Sequence, residues 1–131
     1  MTVFVDASVI VAILNDEEDA LGQAARLASF EDPVMSPVAG WEATVAVAKR
    51  RSEDMGLASR RIQDLVTAAN VRTVSIGTDE MRIAIDAYER YGKGRHPANL
   101  NMGDCFAYAC AKTNGATLLY KGDDFSKTDL A

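Results

Sequence analysis

The amino-acid sequence predicts an α/β protein whose central parallel sheet is covered by helices on both faces. Segments that favour strands alternate along the chain with longer segments that favour helices, and this alternation is typical of such an arrangement. The first strand segment, residues 2–5, is almost entirely apolar, as expected of a short strand buried on both faces. A chain of 131 residues, 48% of them hydrophobic, is long enough to bury the core of one domain.

Four strands are predicted, and each is followed by a charged residue, a proline or a glycine. They are residues 2–5 before Asp6, residues 34–36 before Pro37, residues 71–76 before Gly77 and residues 117–120 before Lys121. Val, Ile, Thr and aromatic residues favour strands, whereas proline and glycine interrupt them. The segment Glu31-Asp32-Pro33 is interpreted as a turn ahead of the second strand.

Six helices are predicted between these strands and before the last one. They cover residues 9–14, 20–30, 38–51, 57–70, 79–91 and 105–112. In the third helix, Trp41, Val45 and Ala48 recur at three-to-four-residue spacing and are expected on one face. Thr78 is a suitable cap for the fifth helix, and Asp104 is expected to open the sixth.

A polar, basic loop at residues 92–103 precedes the last helix. A loop of this length is more often functional or disordered than a simple connection. Cys105 and Cys110 follow on the last helix. Their spacing points them to different sides of the helix, so we expect two small buried residues and no disulfide between them.

Charge and hydropathy exclude several classes of protein. The net charge is −5, whereas a general nucleic-acid binder usually carries a basic face. The chain therefore either has no polyanionic ligand or uses cations at one specific site. Its apolar runs are far shorter than the ~20 residues that span a bilayer, and no basic segment precedes the first of them, so no signal peptide is predicted. A soluble, cytoplasmic protein with no membrane partner is expected.

Acidic residues stand at the ends of predicted strands and the beginnings of predicted helices. Asp6 follows the first strand, Glu42 lies in the first turns of the third helix, and Asp123 and Asp124 follow the fourth strand. Right-handed crossovers bring strand ends and the following helix starts to one edge of a parallel sheet, where ligands bind. Asp104 is placed differently, because its helix precedes a strand, and spacing alone does not bring it to that edge.

If these carboxylates converge, they require either protons or cations. Two carboxylates about 5 Å apart repel by roughly 3 kcal/mol at an effective dielectric constant of 20. Oxygen ligands without a cluster of cysteine or histidine suit Mg²⁺, with Mn²⁺ as the alternative. Two such ions beside a phosphodiester can activate water and stabilise the leaving oxygen. A negatively charged protein would then acquire affinity for phosphate only at its metal site.

Other interpretations remain open at this point. Each acid alone can be a helix cap, a turn former or a surface residue. A phospho-acceptor receiver domain needs paired acids after the first strand and an aspartate after the third, but Asp6 is single and Gly77-Thr78 follow residues 71–76. A phosphatase with a nucleophilic aspartate needs a second one two residues later, where Ser8 stands. A catalytically silent binding module has no such requirement.

Four short motifs occur in order along the chain. They are Val-Asp6-Ala-Ser8, Trp41-Glu42-Ala, Asn101-Met-Gly-Asp104-Cys-Phe-Ala-Tyr and Leu-Tyr-Lys-Gly-Asp-Asp124-Phe-Ser. Together they resemble PIN-domain ribonucleases and, more narrowly, the VapC toxins of type II toxin–antitoxin modules. Residues 91–104 resemble one branch of that group. The resemblance covers essentially the whole chain, so residues 1–131 are predicted to form a single PIN-like domain.

The resemblance implies a three-layer α/β/α sandwich with a parallel sheet of four to five strands. It also implies a Mg²⁺- or Mn²⁺-dependent endoribonuclease, a homodimer, and a cognate VapB-type antitoxin that blocks the site. The substrate would be RNA, with tRNA as one candidate. Asp6, Glu42 and Asp104 become the metal-site and catalytic acids, and Asp124 is the choice for the fourth. Asp123 is the alternate, because the position where family members often carry aspartate is a glycine here.

A further group of polar residues is predicted to hold RNA beside the metals. These residues are Ser8, which would also hydrogen-bond near Asp6, and Lys93, Arg95, His96, Asn101 and Lys121. Neutralising the cations among them should flatten the slope of log affinity against log salt. The aromatic residues are expected mainly in the core, with one or two free to stack on unpaired bases; they are Trp41, Tyr88, Phe106, Tyr108 and Phe125.

Overall fold

The computed structural model describes residues 1–130, in which a four-stranded parallel sheet is flanked by helices. The strands are β1 Thr2–Val5, β2 Asp32–Met35, β3 Arg72–Thr73 and β4 Thr117–Leu119. The helices are α1 Ala7–Leu14, α2 Ala20–Ala28, α3 Pro37–Arg51, α4 Met55–Ala68, α5 Thr78–Tyr91 and α6 Met102–Thr113, and a 3₁₀ turn follows at Phe125–Lys127. The predicted α/β fold with a parallel sheet is confirmed.

The order of the strands explains where a ligand site can form. The sheet has the order β3-β2-β1-β4, and all neighbouring strands are parallel. The chain runs outward from β1 through β2 to β3, and then crosses back to β4 on the other side of β1. Right-handed crossovers consequently place α1–α4 on one face and α5 and α6 on the other. The direction of winding reverses at β1, and ligands of open α/β sheets bind at such a point.

The core is centred on β1. Val3, Phe4 and Val5 have no exposed surface, and neither has Val34 on the neighbouring strand β2. Leu119 of β4, which pairs with Val5 on the other side, is also buried. The prediction that the first strand is buried on both faces is therefore confirmed.

Both β2 and α3 begin earlier in the chain than the sequence predicts. β2 begins at Asp32 and includes Pro33, so the interpretation of these residues as a turn is wrong. Proline is tolerated because it lies near the start of the strand. Ser36 does not belong to the strand but caps α3, its hydroxyl accepting a hydrogen bond from the N–H of Ala39 at 3.1 Å. Pro37 is then the first helical residue, a position that suits proline.

β3 is shorter than predicted. It contains only Arg72 and Thr73, whereas residues 71–76 were expected to pair. The reason is that β2 ends at Met35, so the backbone of β3 has no partner beyond the bond from the N–H of Val74 to the carbonyl of Met35 at 2.8 Å. The fifth strand that the resemblance allowed does not form within residues 1–130.

The last two helices have caps that differ from the predicted ones. Gly77 caps α5, instead of Thr78, and its N–H donates to the carboxylate of Glu80 at 2.6 Å. Asn101 caps α6 by accepting from the N–H of Asp104 at 2.9 Å, while the Asp104 carboxylate accepts from the N–H of Asn101 at 3.0 Å. This reciprocal capping box places Asp104 within the first turn of α6, not at its start.

Two of the five aromatic residues named above are exposed, which is within the one or two that the sequence left free to stack on bases. Trp41 is 62% exposed and Tyr88 is 42% exposed, whereas Tyr108 and Phe125 are buried as predicted. Trp41 is exposed because α3 packs through a face of small residues, Ala39, Ala43 and Val47. A bulky ring two positions away from Ala39 points away from that face.

Cys105 and Cys110 are buried and not joined by a disulfide, which confirms the prediction for both. Burial raises the pKa of each thiol to about 11. Among residues 1–130, none of the helices combines the length and the apolar character that crossing a bilayer requires.

Candidate active site

The end of β1 fixes the first carboxylate of the candidate site. Asp6 is 7% exposed and caps α1. Its Oδ2 accepts hydrogen bonds from the N–H of Ser8 at 3.0 Å and from the Ser8 hydroxyl at 2.5 Å. The Ser8 Oγ in turn accepts from the N–H of Lys121, just after β4, at 2.9 Å. The Ser8 hydroxyl therefore links the Asp6 carboxylate, which follows β1, to the backbone of Lys121, which follows the neighbouring strand β4.

Four acidic side chains from four separate parts of the chain meet in one cleft of about 270 Å³. They are Asp6 after β1, Glu42 on α3, Asp104 on α6 and Asp124 after β4. Ser8, Lys121 and Phe125 also line the cleft. The packing of α3 against α6 brings Asp104 to the edge of the sheet that the sequence alone did not assign to it.

The electrostatics of the cleft show an excess of negative charge. Burial is the main cause that raises the pKa of Glu42 to about 7, and the charges of Asp6 and Asp104 add to it. Burial also raises the pKa of Asp104 to about 6, reinforced by Asp6 and Asp124 and partly offset by its hydrogen bond with Asn101. The pKa of Asp6 rises because of burial, against the two hydrogen bonds from Ser8, which lower it.

The two adjacent acids after β4 have different positions. Asp124 lines the cleft, and its charge raises the pKa values of Asp6 and Asp104. Asp123 is not among the residues that line the cleft. Its backbone carbonyl accepts hydrogen bonds from the N–H and the hydroxyl of Ser126, so it supports the turn that follows. The geometry therefore favours Asp124 over the alternate Asp123 as the fourth acid.

Lys121 lines the cleft, but its ammonium group is already paired. It contacts the carboxylate of Glu17 and that of Asp19, the latter at 2.9 Å. The sequence analysis did not predict that these two acids would pair with Lys121. Pairs separated by more than 100 residues in the chain leave no local signal.

Four residues predicted to contact RNA lie outside the lining of the cleft, on the segment before α6: Lys93, Arg95, His96 and Asn101. Arg95 pairs with Glu89 at 3.3 Å. The Nδ1 of His96 accepts from the N–H of Ala98 at 3.0 Å, and its ring packs edge-on against Tyr91 with 5.1 Å between centroids. Asn101 serves as the cap of α6. Contact of these residues with RNA stays a prediction.

The donor set of the cleft suits Mg²⁺ or Mn²⁺. It consists of carboxylate oxygens without cysteine or histidine, the ligands that these hard cations prefer. As they stand, no three acidic, histidine or cysteine side chains within residues 1–130 are close enough to hold one ion together. A cation that keeps several waters is bound through only one or two carboxylates.

The fold and the cleft define the class of protein. A family model described as "PIN domain" matches residues 3–130, and the chain belongs to that family. The resemblance noted in the sequence is thereby confirmed.

Within this family, the chain is similar to several VapC ribonucleases. A VapC ribonuclease of Rhizobium meliloti is 42% identical over 139 residues, which cover 97% of this chain and 98% of that protein. A ribonuclease VapC of Mycolicibacterium smegmatis is 43% identical over 129 residues, with 97% and 96% covered. Among solved structures, Mycobacterium tuberculosis VapC20, described as a Sarcin-Ricin loop cleaving toxin, shares the fold with a TM-score of 0.76 at 19% identity, covering 95% of this chain and 92% of that one.

Proposed function

We propose that this protein is an endoribonuclease toxin of the VapC type, which hydrolyses RNA phosphodiester bonds with Mg²⁺ or Mn²⁺ held in the acidic cleft. The observation that carries the proposal is the meeting of Asp6, Glu42, Asp104 and Asp124 in one cleft. Relatives that cover nearly the whole chain at about 40% identity are named as ribonucleases, and this supports the same chemistry here.

The carboxylates would hold the cations in two groups. Asp6 and Asp104 would ligate the first cation, while Glu42 and Asp124 would ligate a second one or orient the attacking water. When bound, the cations would neutralise the carboxylates and polarise the phosphodiester and water. The product forms by direct hydrolysis, without a covalent bond between RNA and protein.

The chain's own residues prepare the cleft for this role. Ser8 fixes the orientation of the Asp6 carboxylate through Oδ2. Burial and mutual repulsion keep Glu42 and Asp104 partly protonated near neutral pH. Cation binding requires the charged form, so affinity for the cation should rise with pH. Within residues 1–130, Lys121 is the one basic residue that lines the cleft, and its ammonium group is paired with Glu17 and Asp19, so it does not neutralise the carboxylates.

The test is cleavage of purified RNA by the purified protein, followed by sequencing of the new 5′ ends. Mg²⁺ or Mn²⁺ should support cleavage and EDTA should stop it. Asp6→Asn should abolish cleavage and leave the circular dichroism spectrum unchanged. Asp64→Asn is the matched control, since Asp64 is exposed on α4, and it should cleave normally. Cleavage by the Asp6→Asn variant, or equal cleavage in EDTA, would contradict the proposal.

A second copy of the chain is proposed to cover an apolar strip formed by Trp41, Met102, Ile85 and Tyr88. Their exposed fractions are 62%, 58%, 63% and 42%. Met102 connects the strip, because it lines one groove with Trp41 and another with Ile85 and Tyr88. Exposed apolar surface of this kind marks interaction sites, so it supports a homodimer.

The remaining partners follow from the kind of protein proposed. A VapB-type antitoxin would bind the toxin and block the cleft; one solved structure with the same fold, at a TM-score of 0.68 and 16% identity, is a toxin–antitoxin complex from Klebsiella pneumoniae. The substrate would be a cellular RNA, with tRNA as one candidate. The protein would then act in the cytoplasm, where that RNA is found.

A further inference from the structure

Gly103 stands where the backbone does not need a glycine. It lies in the first turn of α6, between the cap Asn101 and the cleft residue Asp104. Its φ is not in the left-handed region, unlike that of Gly94, Gly115 or Gly122. Glycine is among the least favourable residues inside a helix. Conformational freedom therefore does not explain its presence.

The space around Gly103 does explain it. A Cβ atom added to this residue would overlap all three atoms of the Glu42 carboxylate, at separations no real contact allows. The Glu42 carboxylate thus occupies the place that any other side chain would fill. Gly103 is buried, and Glu42 is partly buried against it. At Gly40, on α3, the overlap would be smaller, because a Cβ there would approach a single atom, the terminal methyl of Met35, at 2.8 Å.

We propose that Gly103 is a positioning residue for the candidate site. The absence of a side chain at Gly103 leaves the space that the Glu42 carboxylate occupies in the cleft beside Asp104. It also lets α3 and α6 approach closely enough for acids from both helices to face the same space. The expected effect on cation binding rests on the proposed function, whereas the placement of the Glu42 carboxylate against Gly103 does not.

The substitution Gly103→Ala should displace the Glu42 carboxylate, since the new methyl group would take its place. Glu42→Asp shortens the side chain by one methylene and withdraws the carboxylate from that space. An alanine at position 103 should then fit. The two substitutions are therefore expected to be coupled, and not additive as for independent sites.

The experiment is a double-mutant cycle of the wild type, Gly103→Ala, Glu42→Asp and the double variant. Two quantities are measured for each protein: the affinity for Mn²⁺ alone by calorimetry, without RNA, and the urea midpoint of unfolding in EDTA. Gly22→Ala is the matched control, because a Cβ at Gly22, exposed on α2, meets nothing within 4 Å. It should behave as the wild type in Mn²⁺ binding.

In the Glu42 background, Gly103→Ala should weaken Mn²⁺ binding by about tenfold and shift the urea midpoint. In the Glu42→Asp background it should change the affinity by less than about threefold and leave the midpoint nearly unchanged. Should Gly103→Ala fail to fold, recovery of folding in the double variant supports the proposal, and continued failure overturns it. Unaltered binding and midpoint in Gly103→Ala, or equal losses in both backgrounds, would also overturn it. If the wild type binds no Mn²⁺, the proposed function fails. The double-mutant cycle of urea midpoints then still tests whether Gly103 positions the Glu42 carboxylate.

Discussion

Replacing Glu42 by glutamine should stabilise the protein at alkaline pH when no divalent cation is present. The pKa of this carboxyl rises from 4.5 to about 7, so the folded state holds the proton more tightly than the unfolded state does. The stability that Glu42 contributes is therefore fully present below pH 4.5 and is lost as the pH rises through about 7. Glutamine resembles the protonated form at every pH and does not suffer this loss.

The size of the effect follows from the rise in pKa. Each pKa unit is worth about 1.4 kcal/mol, so the charged carboxylate costs up to about 3 kcal/mol of unfolding free energy above pH 7. Glu42 is only partly buried, and solvent screening reduces the expected gain in Glu42→Gln to about 1–2 kcal/mol at pH 8. Most of that gain should disappear by pH 5.

The assay is urea unfolding in EDTA at pH 5 and pH 8, followed by far-ultraviolet circular dichroism at one protein concentration. Glu18→Gln is the control, because Glu18 is exposed and forms no ion pair within residues 1–130. Added Mn²⁺ should stabilise the wild type more than Glu42→Gln. The reasoning is refuted if Glu42→Gln is no more stable than the wild type at pH 8, or gains equally at both pH values.

Two further predictions concern the hydroxyl beside Asp6 and the apolar strip. Ser8→Ala removes a hydrogen bond to Asp6 and the acceptor for the N–H of Lys121. It should therefore cost about 1–2 kcal/mol of unfolding free energy and weaken Mn²⁺ binding in calorimetry. An unchanged affinity for Mn²⁺ would show that the hydroxyl does not orient Asp6. Ile85→Asp should convert a dimer into a monomer in sedimentation equilibrium, whereas Leu21→Asp, at an exposed leucine on α2, should not. A dimer in both variants would exclude the strip as its interface.

The parts of the fold that could be predicted are those that depend on neighbouring residues. The continuous apolar run of β1 predicted that the strand is buried, and the carboxylate of Asp6 after it predicted where the strand ends. β3 could not be predicted in the same way, because its length depends on where β2 stops pairing. Residues 71–76 have the composition of a strand, but the partner backbone ends at Met35.

The site was predictable in its residue types and only partly in its assembly. Asp6 and Asp124 follow strands, so the topology of a parallel sheet was enough to bring them together. Asp104 reaches the cleft because α3 packs on α6, a contact that no local pattern encodes. Trp41 was expected on one face of α3 with Val45 and Ala48 because of its spacing, whereas the face that packs includes Ala39, Ala43 and Val47 and not Trp41.

Two of the carboxylates that line the cleft also lie at the N-terminal ends of helices. Asp6 caps α1, and Asp104 completes the capping box of α6, so the positive ends of both helix dipoles face the acids. An inactive variant made with alanine at Asp6 would therefore fray a helix as well as remove a charge. Asparagine keeps the ability to cap α1, so Asp6→Asn removes the charge needed for the proposed RNA cleavage without removing the helix cap.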